Sequence, residues 1–363
     1  MRLILCFNLF LVLSFLGINA QQFTLEISLD ATVNETSGLL YLNNTLITHN
    51  DSANTNQLFD IDTTTGNVTR TVTITNATNI DWEDLTQDGT YIYVGDFGNY
   101  QGDRTDLKVY RIAISDYLNN TSVTADVINF SYADQTDFTT SPFATNFDAE
   151  SLIHYNNSLY VFTRNWLDSN TNIYELPKTP GSHSISMVDS ITAGGLVSGV
   201  TFNTLSNAII ITGFDGNGAF LIELSGFNSG LFSNGTVTKT SIAVPENYSF
   251  QIEGIYPLNA NEYYITAEEN GALQSALYSF NTSTLSMNET ELTPISFYPN
   301  PAKTQITLSE DNLQTKIYTI TGQLVKTSNR KQIDVSDLTS GIYLIIIEDT
   351  SGKSTIRRRL LIE

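Results

Sequence analysis

Asp81-Trp82-Glu83-Asp84-Leu85, followed after a turn by Tyr91-Ile92-Tyr93-Val94-Gly95-Asp96, is the stretch on which the reading of this chain turns. Its centre returns in altered form at Thr36-Ser37-Gly38-Leu39, Ala149-Glu150-Ser151-Leu152, Val197-Ser198-Gly199-Val200 and Ile252-Glu253-Gly254-Ile255. Counted from the second residue of each phrase, the intervals are 46, 67, 48 and 55 residues, the period of a repeated supersecondary unit. Each copy leads into a second apolar run, at 46–48, 91–94, 159–162, 208–211 and 263–266. A third run follows, centred on Leu58-Phe59, Val109-Tyr110, Ile173-Tyr174, Phe220-Leu221 and Leu277-Tyr278, and fourth runs lie at 68–74, 127–130, 185–191 and 237–242.

Short β-branched and aromatic runs separated by turn residues, with no long stripe of helical period, make the chain all-β. Four strands per unit is the blade of a β-propeller. The fifth unit has only a polar stretch, 285–292, where its fourth strand should be, so the segment 23–29 is expected to complete it and close the ring. The expected fold is a five-bladed β-propeller. A sixth, degenerate blade within 132–147 and a pair of β-sandwiches are the alternatives.

The ends of the chain read differently. Arg2, the apolar run 3–16 and the close Gly17-Ile18-Asn19-Ala20 have the form of a secretory signal peptide, residues 1–20, cut before Gln21. Cys6 lies in this leader, so the mature chain has no thiol for disulfides, metal ligation or nucleophilic catalysis. No later run is long enough to span a bilayer. Near the other end stand Phe297-Tyr298-Pro299-Asn300-Pro301, Ile317-Tyr318-Thr319-Ile320-Thr321-Gly322-Gln323-Leu324-Val325, Leu338-Thr339-Ser340-Gly341-Ile342-Tyr343-Leu344 and Arg357-Arg358-Arg359. This series resembles the type A C-terminal sorting domain of the Bacteroidetes type IX secretion system. The resemblance implies a small immunoglobulin-like β-sandwich over 295–363, after a linker at 291–294 and a propeller domain over 21–290. It further implies that an outer-membrane translocon reads the tail and that the protein is released or held at the outer surface.

Charge separates the two parts. The whole chain carries 17 Lys and Arg against 38 Asp and Glu, a net −21. Residues 293–363 hold nine basic and seven acidic side chains, which leaves roughly −24 on residues 21–292. Such a surface repels nucleic acid and anionic membranes and suits a monomer in solution or a cation-binding site.

The central region resembles a group of secreted Bacteroidetes propeller-like proteins through Asp81-Trp82-Glu83-Asp84-Leu85, Gly95-Asp96-Phe97-Gly98-Asn99 and Asp148-Ala149-Glu150-Ser151-Leu152. It is more distantly similar to calcium-dependent hydrolase, phytase-like and lactonase-like propellers through the repeated acidic phrase and His49-Asn50-Asp51. In a propeller the first strands line the central channel. Strand alternation then points Glu35 with Ser37, Asp81 with Glu83, Asp148 with Glu150, and Gln251 with Glu253 inward.

Converging carboxylates need protons, hydrogen bonds or a cation, and calcium fits an all-oxygen donor set. A solvated or turn-forming role for these acids is the plain alternative. Glu83 and Glu150 are the first candidate ligands. Asp96, Asn99, Asp103 and Asp106, in a loop with Gly98 and Gly102, are a second candidate metal set, although the spacing fails the EF-hand pattern. Asp51, Asp215, Glu268 and Glu269 follow the second strands.

For catalysis the candidates are Glu83, Glu150, Glu253 and, as a general base, His49. No histidine pair suits zinc, and no nucleophile elbow or phosphate loop occurs. Trp82 and Trp166 offer stacking surface or core packing. No organic cofactor is expected. The leading expectation is an exported protein that binds an extracellular ligand, with calcium near the channel. Its rivals are a calcium-dependent hydrolase of an ester, lactone, phosphate ester or glycan, and a purely structural surface component.

Overall fold

The computed structural model describes residues 23–216, 218–242, 251–269, 273–282, 297–309, 311, 313–319, 323–349 and 355–362. The leader 1–20, the stretch 285–292 and the linker 291–294 lie outside the described residues. The chain divides into two compact units, Met1–Leu285 and Ser286–Glu363. It is all-β: among the described residues helix is confined to Ile114–Asn119 and two single 3-10 turns. No helix among them is long and apolar enough to cross a membrane.

Among its described residues the first unit contains five sheets. Sheet I is built from Thr36–Leu42, Thr45–Asn50, Gln57–Ile61 and Val68–Ile74. Sheet II holds Trp82–Gln87, Tyr91–Asp96, Lys108–Ala113 and Asp126–Tyr132, and sheet III holds Ala149–Tyr155, Ser158–Thr163, Thr171–Pro177 and Met187–Ile191. Sheet IV runs Leu196–Asn203, Ala208–Asp215, Gly218–Ser225 and Thr236–Ile242. Sheet V combines Ile252–Pro257, Glu262–Ala267 and Ala276–Asn281 with the N-terminal strand Thr24–Ser28, which pairs antiparallel to Ala276–Asn281. The first strands neighbour one another in the cycle I, II, III, IV, V and back to I.

Period-2 alternation explains why neighbouring sheets stack. In sheet I, Leu39, Leu46 and Phe59 join Leu277 of sheet V in one buried cluster, while Leu40, Ile47, Leu58 and Val72 join Leu85, Ile92 and Val94 of sheet II in another. Sheet III repeats the division: Leu152, Leu159, Val161 and Tyr174 face sheet II, and Ile153, Tyr160, Phe162 and Ile173 face sheet IV. Every neighbouring pair of sheets thus shares its own core, with sheets IV and V joined through Ile210, Leu221, Ile255 and Ile265. Tight hairpins fix the registers: Asn43-Asn44 (φ 48° and 68°) and Asn156-Asn157 (φ 48° and 74°) supply the paired left-handed residues of a two-residue turn.

All five first strands carry a bulge within the repeated phrase, at 36/39, 82/84, 149/151, 197/199 and 252/255. Glycine at the third position lets adjacent first strands approach. A Cβ on Gly38 would stand 2.4 Å from the Leu85 nitrogen, one on Gly199 2.2 Å from the Glu253 carbonyl oxygen, and one on Gly254 2.4 Å from that of Ser37. Sheet II has Asp84 instead, which bridges the same gap: its carboxylate accepts from the Leu152 N–H at 2.8 Å and the Leu85 N–H at 2.7 Å.

Two readings of the repeats need adjusting. The run 185–191 is not one strand: Gly181–Ile185 leaves to pair parallel with Asp126–Tyr132 of sheet II, and the chain breaks at Ser186 before Met187–Ile191 completes sheet III. Sheet I likewise gains Ser122–Val123 as a parallel fifth strand. The long interval between sheets II and III, 133–148, contains no strand.

The second unit is two sheets over one core. Phe297–Tyr298, Gln305–Leu308 and Gln332–Asp334 form one; Leu324–Ser328, Leu313–Thr319, Gly341–Asp349 and Thr355–Ile362 form the other. Ile306, Leu308, Ile317, Ile333, Ile345, Ile347 and Leu360 are buried between them.

Candidate functional site: the acidic end of the first strands

Four backbone hydrogen bonds establish which positions are equivalent at the start of each sheet. The N–H groups of Asp51, Phe97, Arg164 and Glu268 donate to the carbonyls of Glu35, Asp81, Asp148 and Gln251 at 2.9, 3.0, 2.7 and 3.1 Å. In sheet IV the pairing of Leu196 with Phe214 occupies the same place. Three sets of five positions result: Glu35, Asp81, Asp148, Leu196 and Gln251; Ser37, Glu83, Glu150, Ser198 and Glu253; and Asp51, Phe97, Arg164, Phe214 and Glu268.

Asp51, Asp81 and Glu83 are half-buried and offer carboxylate oxygens that all lie within 4.8 Å of one another. Gly98 passes beneath them. A Cβ there would be 2.1 Å from Glu83 Oε1 and 2.4 Å from Asp81 Oδ2, so a side chain at this position would displace the two carboxylates. Burial, then the Asp51 and Asp148 charges, push the Asp81 carboxyl up to about 7. Burial raises Asp51 to about 6, against a hydrogen bond from the Ser52 N–H. Glu83 is driven well above the ordinary carboxyl range by burial and by Glu150, Asp51 and Asp81.

Deeper in, Arg164 Nη2 stands 2.8 Å from Glu150 Oε2 and 3.9 Å from Glu253 Oε2, while its Nε donates to the Val197 carbonyl at 2.8 Å. Glu150 and Glu253 are only 3% and 9% exposed. Burial pushes both upward, Glu253 to about 8, against the opposing pull of Arg164. Glu268 rises to about 9 through burial and the nearby Glu253. Asp148, 2% exposed, accepts from the Asn99 N–H at 2.5 Å and from Trp166 Nε1 at 2.8 Å. Arg164 was not legible as a site residue: it replaces an acid or an aromatic found at the same position in the other sheets.

The remaining candidates have other surroundings. Ser37 is buried and donates to the Glu83 carbonyl at 2.5 Å, joining sheets I and II. Glu35 is exposed and accepts from Asn54, and Gln251 is exposed. His49 is fully buried: Nδ1 lies 2.9 Å from the Asn50 carbonyl, the ring packs edge-on to Trp82, and burial lowers its pKa to about 4. It is not placed on a loop face as a general base would be. Trp82 is core.

Asp96 is buried against Arg104 Nη2 at 2.9 Å, and Asn99 accepts from the Arg104 N–H at 2.9 Å. Asp106 pairs with Arg104 and Lys108, and Asp103 accepts from Thr140 at 2.6 Å. Arg104 therefore organises that loop. Asp215 pairs with Lys239 at 2.9 Å, and Glu269 is exposed. At the other end of the first strands a cavity of about 370 Å³ is lined by Tyr41, Gln87, His154, Phe202 and Tyr256 among others.

No curated protein sequence matches the chain significantly. Among solved structures it is similar to PorZ, described as an essential bacterial surface component of the type IX secretion system of Porphyromonas gingivalis. That likeness has 14% identity and a TM-score of 0.33, covering 90% of this chain and 45% of PorZ. The chain thus spans less than half the length of that protein. It is also similar to a putative 6-phosphogluconolactonase from Bacteroides fragilis (8% identity, TM-score 0.35, 92% and 97% covered). A third likeness is to the dihydro-heme d1 dehydrogenase NirN (10% identity, TM-score 0.31, 93% and 75% covered). Residues 296–363 match the family described as the secretion system C-terminal sorting domain. This tail belongs to that family, so the protein is one that the type IX machinery exports to the cell surface or beyond it.

Proposed function

We propose that the first unit is a five-bladed β-propeller that binds a divalent cation, calcium, at Asp51, Asp81 and Glu83, and presents this acidic mouth to an extracellular ligand. The closed cycle of first strands and the cores between successive sheets support the five blades. The cation reading is carried by the convergence of three carboxylate oxygens within 4.8 Å over the bare backbone of Gly98. Three such groups cannot all ionise without a counter-charge, and a hard cation taking six to eight oxygens suits a donor set with no nitrogen or sulfur. Arg164 is committed to Glu150 and Glu253 and leaves the outer trio to the metal.

Isothermal titration and thermal scans of the mature chain, residues 21–363, in calcium, magnesium and chelator test this. Calcium at one hundred times its Kd should add about 2.7 kcal/mol of stability, and Asp81→Asn with Glu83→Gln should remove that increment. A melting curve indifferent to calcium and chelator would end the cation reading.

The rise of Asp51, Asp81 and Glu253 toward neutral pH favours a second reading, a calcium-dependent hydrolase with one of these carboxyls as proton donor or acceptor. Calcium-dependent turnover of ester, lactone, phosphate ester or glycoside substrates that is lost in Glu83→Gln would establish it.

A further inference from the structure

Beside the acidic mouth lies an aromatic surface that the cation reading does not use. Tyr100 and Phe143 are 40% and 59% exposed, yet their rings are stacked, with centroids 5.2 Å apart and planes at 30°. Phe143 also meets Trp166 edge-on at 4.9 Å, and Trp166 is tied through its Nε1 to Asp148. The three rings come from three separate segments: the loop after the second strand of sheet II, the strandless interval 133–148, and the loop after the second strand of sheet III.

Phe143 holds its exposed position at a cost. Its φ is 59°, in the left-handed region, where a bulky side chain carries roughly 1–3 kcal/mol of strain. Hydrogen bonds clamp the segment there: Ser141 N–H to the Gln101 carbonyl at 2.8 Å, Phe143 N–H to that of Tyr100 at 2.9 Å, and Trp166 N–H to that of Thr145 at 3.0 Å. Below it, Gln135 Nε2 donates to the Gly102 carbonyl at 2.9 Å. A strained backbone that keeps a phenyl ring in water adds nothing to the core.

We propose that Tyr100, Phe143 and Trp166 form a stacking platform for a neutral pyranose ring of an extracellular glycan. The electron-rich faces of aromatic rings attract the polarised C–H bonds on one side of a sugar. Hydroxyls at the edge of that sugar need acceptors, and these are fixed close by. Asp168 is held by Asn146 Nδ2 at 2.9 Å and Asn165 Nδ2 at 3.0 Å, and Asp103 is held by Thr140.

Charge narrows the ligand class. Residues 21–285 carry roughly −22, and the platform is tied to Asp148, whose charge also bears on Asp51 and Asp81, so uronic, sialylated or phosphorylated sugars are repelled. A second copy of this chain would bring the same negative field and is disfavoured for the same reason. The platform does not depend on a bound cation.

Affinity electrophoresis and titration calorimetry of the mature chain test the proposal, using dextran, mannan, galactan and chitooligosaccharides with polygalacturonate as the charged control, each in calcium and in chelator. At least one neutral glycan should bind in both conditions, and polygalacturonate should not. Phe143→Gly should weaken binding tenfold or more and still fold, because glycine adopts the left-handed φ freely. Tyr100→Ala should weaken binding without unfolding, and Phe143→Trp should retain it. Absence of binding to every neutral glycan, or equal binding by Phe143→Gly, would overturn the proposal. So would a wild-type dimer in sedimentation velocity that Phe143→Gly converts to monomer, since the platform would then belong to a second copy. Glycan binding that survives chelation while calcium has no effect on stability would retain the platform and reject the cation site.

Discussion

Replacing Arg164 by methionine keeps an unbranched, largely apolar stem and removes the cation facing Glu150 and Glu253. At 2.8 Å and an effective dielectric of about 20, the attraction to Glu150 is roughly 6 kcal/mol, and part of this is offset by the desolvation of a guanidinium that is 13% exposed. Taking away one partner of a buried pair typically costs about 3–5 kcal/mol, and that loss is expected in urea unfolding at pH 8. Both carboxyls already have raised pKa values, and without Arg164 they rise further. The variant should therefore recover stability as pH falls from 8 to 5, because its folded state holds on these acids protons that the unfolded chain releases over that range. At pH 5 the remaining loss is that of the Val197 hydrogen bond, about 1–2 kcal/mol. Fluorescence of Trp82 and Trp166 reports the transition. A loss below 1 kcal/mol at pH 8 would refute the assignment of Arg164 as the counter-charge.

The unmodified protein in chelator should also lose stability as pH rises. A carboxyl whose folded pKa exceeds its unfolded value binds its proton more tightly when folded, so the gain is complete below the unfolded value and vanishes as pH passes the folded one. Asp51 at about 6, Asp81 at about 7 and Glu253 at about 8 set a window from about pH 4 to 8, and a flat melting temperature across it would count against the crowding of these acids. Gly254→Ala should destabilise by about 1–3 kcal/mol, because the new methyl meets the Ser37 carbonyl oxygen at 2.4 Å and Leu39 Cβ at 2.7 Å; wild-type stability in guanidinium titration would show that the first strands can move apart. Deleting residues 296–363 should leave the folded first unit in the periplasm, and its normal appearance in the medium by immunoblot would remove the sorting role of the tail.

The strands were legible because alternation and a recurring phrase both mark them. Leu39 and Leu40, or Leu58 and Phe59, are adjacent apolar pairs that make sense only if both faces of a sheet are covered. The strand exchange at Ser186 was not legible, since Ile185 and Met187 belong to one apolar run yet pair with different sheets. In the site, Asp81 with Glu83 followed from strand alternation despite the bulge beside them. The third member, Asp51, comes from a neighbouring sheet, and no local spacing expresses that. Asp96 and Asp106 looked like an ion loop because sequence shows carboxylates but not the side chain that occupies the space between them, here Arg104. Phe143 escaped notice altogether: its meaning lies in a backbone angle.

The strand Thr24–Ser28, paired with Ala276–Asn281, also governs when folding can finish. Synthesis delivers Thr24 before any sheet exists, and its partner Ser279 arrives some 250 residues later. Each sheet can collapse as its four strands emerge, but the ring stays open and sheet V stays one strand short until the final segment is present. Closing a loop of that length costs about 5 kcal/mol of chain entropy, a barrier met late and all at once. A chain shortened before Ala276 would keep every other sheet and still expose two bare edges, so completeness of the first unit is checked by the strand Thr24–Ser28.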